Sequence, residues 1–131
     1  VKEQIDVLSR LASLRGTRVR EVMARVNYQR NLCQRYRNNI TGLTRLCGFV
    51  VPVSTPLQRS NQQQYKATLF KMLQLQRREL EVAEQSLKRI QDELLQAMRN
   101  EKVIVHLIDS KLGQWQEQLS RQEQKIQDGL A

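Results

Sequence analysis

The sequence predicts an all-α protein: two long helices folded as an antiparallel coiled-coil hairpin, the second longer than the first. Three observations carry that expectation. Breakers are scarce, with five Gly and two Pro in 131 residues. Both arms carry apolar residues at alternating steps of three and four. The only Pro-containing stretch divides the chain unequally, at residues 48–56. A sandwich, a barrel or a βαβ core needs turn residues every ten or so positions, and this chain does not supply them.

In the first arm Ile5, Ala12, Val19, Val26, Cys33, Ile40 and Cys47 recur every seven residues. Leu8, Val22, Tyr36 and Leu43 follow the interleaved series, with Arg15 and Gln29 as its polar members. A strand would show period two, so this is the seam of a coiled coil. Gly16 and Gly42 each weaken the helix by roughly 1 kcal/mol relative to Ala. Gly48 is placed for a left-handed C-terminal cap, and Pro52 follows it. Thr55-Pro56-Leu57-Gln58 then reads as an N-cap threonine, a proline at the first helical position and a capping-box glutamine. The expected boundaries are helix 1 over about 2–47, a turn over 48–54 and helix 2 over about 56–129, in one hairpin domain spanning 1–131.

The second arm continues the pattern. Its seam runs Leu69, Leu73, Gln76, Leu80, Ala83, Leu87, Ile90, Leu94, Ala97, Glu101, Ile104 and Ile108, then Leu112, Trp115, Leu119, Gln122 and Ile126. Two successive steps of four around Ile108 form a stutter, which locally unwinds a left-handed supercoil. A short turn forces the arms antiparallel. Pairing residues outward from position 51 sets Cys47 near Pro56, Val22 near residue 81 and Ile5 near residue 98. On that register helix 2 outruns helix 1 by about thirty residues, or ~45 Å. Ile104, Ile108, Leu112, Trp115, Leu119 and Ile126 are then an apolar stripe without an intrachain partner, the mark of an interaction surface. A third helix folding back near Asn100 would also cover it, but Arg99-Asn100-Glu101-Lys102 holds no breaker.

Charge adds a second handle. Twenty-two Lys+Arg against thirteen Asp+Glu give a net +9. Residues 1–47 carry +7 of it and residues 48–131 carry +2. Arg18, Arg25, Arg30 and Arg37 flank the seam and are expected to pair with Glu79, Glu81 and Glu84. Arg10, Arg20, Arg35 and Arg45 point outward, as a solvated basic face or toward an acidic protein partner. Phosphate attraction scales with such charge, yet no aromatic platform interleaves the arginines and no DNA- or RNA-module pattern is present. Nucleic acid is therefore not an expected partner.

Catalysis has little to stand on. His106 is the only histidine, set in an apolar run without a ligand or general-base partner at suitable spacing. Cys33 and Cys47 occupy seam positions and read as small buried hydrophobes. Fourteen residues on one helix is ~21 Å, so they do not pair within it, which favours a reduced, cytosolic setting. No catalytic residue, metal or cofactor is expected. Neither apolar run, Phe49–Val51 or Val103–Ile108, approaches the ~20 residues of a membrane span, and no signal-peptide pattern opens the numbered chain. Residue 1 is Val, which predicts a start upstream of this numbering.

The stretch Tyr28-Gln29-Arg30-Asn31-Leu32-Cys33-Gln34-Arg35-Tyr36-Arg37-Asn38-Asn39-Ile40 resembles the late first helix of the flagellar FliJ family. So do the Gln62-Gln63-Gln64-Tyr65 entry to helix 2 and the late Trp115 followed by a Gln-rich helix. The resemblance spans nearly the whole chain in layout, and the injectisome stalks of YscO type are similar. It implies a small cytoplasmic, non-enzymatic stalk of the type III export apparatus, peripheral to the inner membrane and similar to the γ subunit of rotary ATP synthases. Such a stalk inserts into the hexameric export ATPase, promotes ring assembly, links it to the cytoplasmic domain of the export gate and escorts unloaded export chaperones. The resemblance places the ring end at the paired termini, roughly residues 1–20 and 95–131, which takes in Arg10, Ile104, Ile108, Leu112, Trp115, Leu119 and Ile126. It places the gate and chaperone surface nearer the turn, at Leu32, Tyr36, Tyr65 and Met72. Tyr36 matches the family in type, whereas Leu32 stands where an aromatic is common. The competing class is a homodimeric structural coiled coil or secretion chaperone whose stripe pairs with a second copy.

Overall fold

The computed structural model describes residues 1–130, with the side chains described through Gly129. Helix α1 spans Lys2–Gly48 and helix α2 spans Pro56–Leu130. They pack antiparallel, α2 is the longer, and it runs unbroken through Asn100. The packing is built on the seams. Each of the thirteen seam positions of α1, and each of the twelve of α2 from Leu69 to Ile108, is buried or half-buried. Val22, Val26 and Cys33 are fully enclosed, while Leu69, Leu73, Ala83, Ala97 and Ile104 are 4–7 % exposed.

The ends of the helices follow from local chemistry, with one departure. At the start of α2 the Gln58 backbone N–H donates to Thr55 Oγ1 at 3.1 Å, the expected N-cap. The Gln58 side chain reaches back to the Ser54 backbone N–H at 3.0 Å, one residue earlier than a capping box requires. At the end of α1 the expected left-handed cap is absent: no glycine has a positive φ. Gly48 is instead the last helical residue, and the Phe49 N–H donates to the Leu46 carbonyl at 3.3 Å. That i→i−3 bond satisfies a terminal carbonyl by tightening the last turn, without a left-handed residue.

The register also differs from the residue-counting expectation. Arg15 Nη1 donates to the Asn100 carbonyl at 2.8 Å, Arg18 meets Glu93 at 3.7 Å, and Gln29 Nε2 donates to the Ala83 carbonyl at 3.1 Å. Relative to the expectation, α2 is displaced by about ten residues, or ~15 Å of helix. The linker is the cause. Residues 49–54 are neither helix nor strand, and non-helical chain can advance up to ~3.3 Å per residue against 1.5 Å in a helix, so the linker runs back alongside the start of α2. Gln62 Nε2 accordingly donates back to the Val51 carbonyl at 3.4 Å, and the first buried residue of α2 is Leu69. Counting linker and helix residues as equal steps placed every partner too early.

The overhang shrinks as a result. Glu3 and Gln4 stand beside Leu107 and Lys111, so α1 accompanies α2 to about residue 113. About sixteen residues of α2 continue alone, ~24 Å rather than ~45 Å.

Candidate partner-binding surfaces

The chain divides into two compact units, residues 1–24 with 92–131 and residues 25–91. The first contains the termini and every residue assigned by resemblance to the ring end. Ile104 is 4 % exposed and packs within its own chain, which corrects the expectation that it lies unpartnered. Ile108, Leu112 and Trp115 are half-buried. Leu119 and Ile126 are exposed at 42 % and 64 %, and Arg10 is exposed. The uncovered part of the stripe therefore begins at about Trp115, where α1 ends, and not at Ile104.

This unit has apolar surface that reading the seam alone does not reveal. Val7, Leu14, Val103 and Leu107 are exposed, and Val7, Leu8 and Leu107 line one shallow groove with Lys111. Leu95, Met98 and Val105 line another with Lys102. The sequence signal was present, since Val7, Leu11 and Leu14 follow a helical spacing beside the seam, and Leu95, Met98, Lys102 and Val105 do the same.

A polar layer interrupts the seam here. Arg15 reaches the Asn100 carbonyl. The carboxylate of Glu101, a half-buried seam position, lies so close to Gly16 that an added Cβ would stand 2.9 Å from its Oε2. That oxygen is the far end of a flexible side chain, so a methyl at Gly16 would be accommodated by a small shift of the Glu101 carboxylate.

The second unit contains the four residues assigned to the gate and chaperone surface. Met72 lines a groove with Asn39, Gly42, Leu43, Leu46 and Gln76. Tyr65 lines the next with Leu46, Phe49, Val51, Gln62 and Lys66. Leu46 borders both, so Tyr65 and Met72, two turns apart, share one surface. Leu32 and Tyr36 are half-buried on α1 and line neither groove. Arg37 Nη2 meets Glu84 Oε1 at 3.1 Å, one of the expected interhelical pairs, while Arg18 of the first unit takes Glu93, as the shifted register demands.

The fold also redistributes the charge. The unit of residues 25–91 holds twelve Lys+Arg against three Asp+Glu, and so carries the whole net +9. The terminal unit holds ten of each and is neutral. From residue 22 to residue 78 there is no acidic side chain.

Among the described residues no group of three or more His, Cys, Asp or Glu is placed to hold a metal, and no helix is long and apolar enough to cross a membrane. His106 is exposed, and both cysteines are free thiols, Cys33 buried and Cys47 half-buried. These surfaces offer apolar and electrostatic contact to other macromolecules.

No curated protein and no solved structure matches the chain. Residues 4–131 match the family described as flagellar FliJ protein. The chain therefore belongs to the flagellar FliJ family over nearly its whole length, and is a non-enzymatic component of the flagellar type III export apparatus.

Proposed function

We propose that this chain is the stalk of the export apparatus, with its terminal unit inside the hexameric export ATPase ring. The observation that carries this reading is the solitary end of α2. There Trp115, Leu119 and Ile126 lie on one side of a helix that α1 no longer accompanies. A lone helix with an apolar stripe gains stability when something covers that stripe. A ring lumen does so without demanding one fixed orientation, and a neutral, apolar-flanked shaft suits contact with several equivalent subunits better than a strongly charged one. The surface shared by Tyr65 and Met72, with Leu32 and Tyr36 on α1, is the proposed contact for the gate's cytoplasmic domain and for unloaded chaperones. The site of action is cytoplasmic, beside the inner membrane.

The test replaces Trp115, Leu119 and Ile126 together by Ser and measures stimulation of the purified ATPase. We expect stimulation to fall by at least about tenfold, in line with loss of an aromatic anchor and its neighbours, with helical circular dichroism nearly unchanged. Undiminished stimulation would remove the terminal end from the ring. The same stripe also suits a second copy of the chain, the reading of a homodimeric coiled coil or chaperone. Light scattering separates the two: a monomer across the concentration range supports the stalk, and a tight dimer that shields Trp115 from quenchers supports self-association.

A further inference from the structure

The two flanks of the seam in the residue 25–91 unit differ in kind. On one, Leu32, Asn39 and Leu46 recur every seven residues along α1, each directly before a seam position, and Tyr65, Met72 and Glu79 keep the same spacing on α2. Asn39, Leu46 and Met72 line one groove, and Leu46 and Tyr65 line the next, so the two rows meet along this flank. Beside them stand Tyr28, Leu75 and Val82, exposed at 65 %, 53 % and 59 %. The other flank carries Arg30, Arg37, Arg77 and Glu84, each directly after a seam position, and there Arg37 and Glu84 are paired. One side of the helix pair is thus occupied by its own charges, and the other is an open apolar strip. From Tyr65 to Val82 that strip is ~25 Å long.

We propose that this strip, part of the gate and chaperone contact proposed above, receives an acidic amphipathic helix of the partner as the third strand of a coiled coil, and the proposal rests on that reading for where the helix comes from. A helix is the occupant because both rows recur at seven residues, the repeat into which the knobs of a third helix fit. An extended peptide finds no edge here, since α1 and α2 satisfy their own backbone groups. The acidity follows from the charges. Arg35 is one heptad before the groove residue Gly42, Lys66 is in the wall of the Tyr65 groove, and Lys71 adjoins Met72. Among the described residues none of these three cations has an ion pair. Of the three acids in the unit only Glu79 lies in the apolar rows. Carboxylates beside the apolar stripe of an incoming helix therefore meet an excess of unpaired positive charge, which orients it and speeds its approach. A second copy offering the same strip would instead set one +9 unit against another.

The test is fluorescence anisotropy of a labelled synthetic peptide of about twenty residues, long enough as a helix to span the strip, titrated with the full chain. The peptide carries Leu at its heptad seam positions and Glu beside them, and its counterpart has Lys in place of every Glu. The acidic peptide is expected to bind at 50 mM NaCl and more weakly at 500 mM, and the basic one not to bind. Leu46→Ser with Met72→Ser should weaken binding by about tenfold, whereas Phe70→Ser on the other flank should leave it unchanged. Arg35→Gln with Lys66→Gln should weaken it by about fivefold and flatten its salt dependence. Leu46, Phe70 and Met72 are exposed, so circular dichroism of their variants should match the native chain. No binding of the acidic peptide at 50 mM NaCl overturns the proposal, as does equal binding of the basic one or an equal loss with Phe70→Ser. Light scattering that shows a dimer abolished by the Leu46 and Met72 changes gives the strip to a second copy and overturns it too. The gate and chaperone reading fails separately, if the gate's purified cytoplasmic domain and the unloaded chaperones bind the Leu46/Met72 variant and the native chain alike.

Discussion

The two units share one architecture and differ on the surface. Both are paired helices closed by the same kind of seam, with Val22 fully enclosed in the terminal unit and Val26 and Cys33 in the turn-side unit. Yet one surface is neutral and flanked by exposed Val7, Leu14, Leu95 and Val103, and the other carries the entire +9. Seam positions answer to the facing helix and are held mostly to small and aliphatic residues. Positions off the seam face solvent or a partner and are free to diverge. What distinguishes the two ends of a coiled-coil hairpin is therefore written outside its core, and partners should be sought there.

The largest expected effect tests the shared half of that comparison. Val22→Asp and Val26→Asp each put a carboxylate where no solvent reaches. An unpaired buried charge costs about 4 kcal/mol or more, and the two losses should be similar despite the different surfaces, as urea titration of each variant would report. A much smaller loss at Val26 would mean that the +9 field reaches into the seam, and the separation of core from surface would fail.

The seam was readable from the sequence because burial in a coiled coil is a local periodic property. Every position assigned to it between Ile5 and Ile108 is at least half-buried. The Thr55 cap was readable for a similar reason, since its donor and acceptor lie within one turn. The register was not, because it depends on the rise of linker residues 49–55, which adopt no repeating pattern. That error propagated to Ile104, which the structure buries. Charge read along the chain, +7 then +2, concealed its segregation, because the hairpin brings residues 25–48 beside residues from the other arm. The neighbour of Gly16 was equally hidden, because only the register brings Glu101 against it.

A middle-sized effect follows from that glycine. Gly42 in the turn-side unit and Gly113 in the terminal unit have open space where a Cβ would go. Replacing either by Ala should stabilise the chain by about 1 kcal/mol through helix propensity alone. Gly16→Ala should gain slightly less, because the new methyl makes the flexible Glu101 carboxylate shift. In a Glu101→Ala background the full gain should return, so a double-mutant cycle of thermal stabilities isolates the contact. Additive behaviour would show that the close approach carries no energy.

The smallest effect bears directly on the charge contrast. Arg18–Glu93 at 3.7 Å and Arg37–Glu84 at 3.1 Å are both exposed interhelical pairs, of a kind worth about 0–1 kcal/mol. On distance alone, Arg37→Gln should cost more than Arg18→Gln. The surroundings reverse that order. Arg37 sits among eleven other cations in its unit, so removing it relieves repulsion that partly offsets the lost pair, whereas Arg18 belongs to a neutral unit where nothing is relieved. At 50 mM NaCl, Arg37→Gln is therefore expected to be nearly neutral and Arg18→Gln to cost a few tenths, about 0.3 kcal/mol. At 500 mM NaCl the Debye length shrinks to about 4 Å. Long-range repulsion then fades before the 3.1 Å contact does, and the Arg37 variant should become the less stable of the two. An order that ignores salt would mean that the +9 is spread too thinly to act as a field, leaving the two ends different in composition but not in electrostatics.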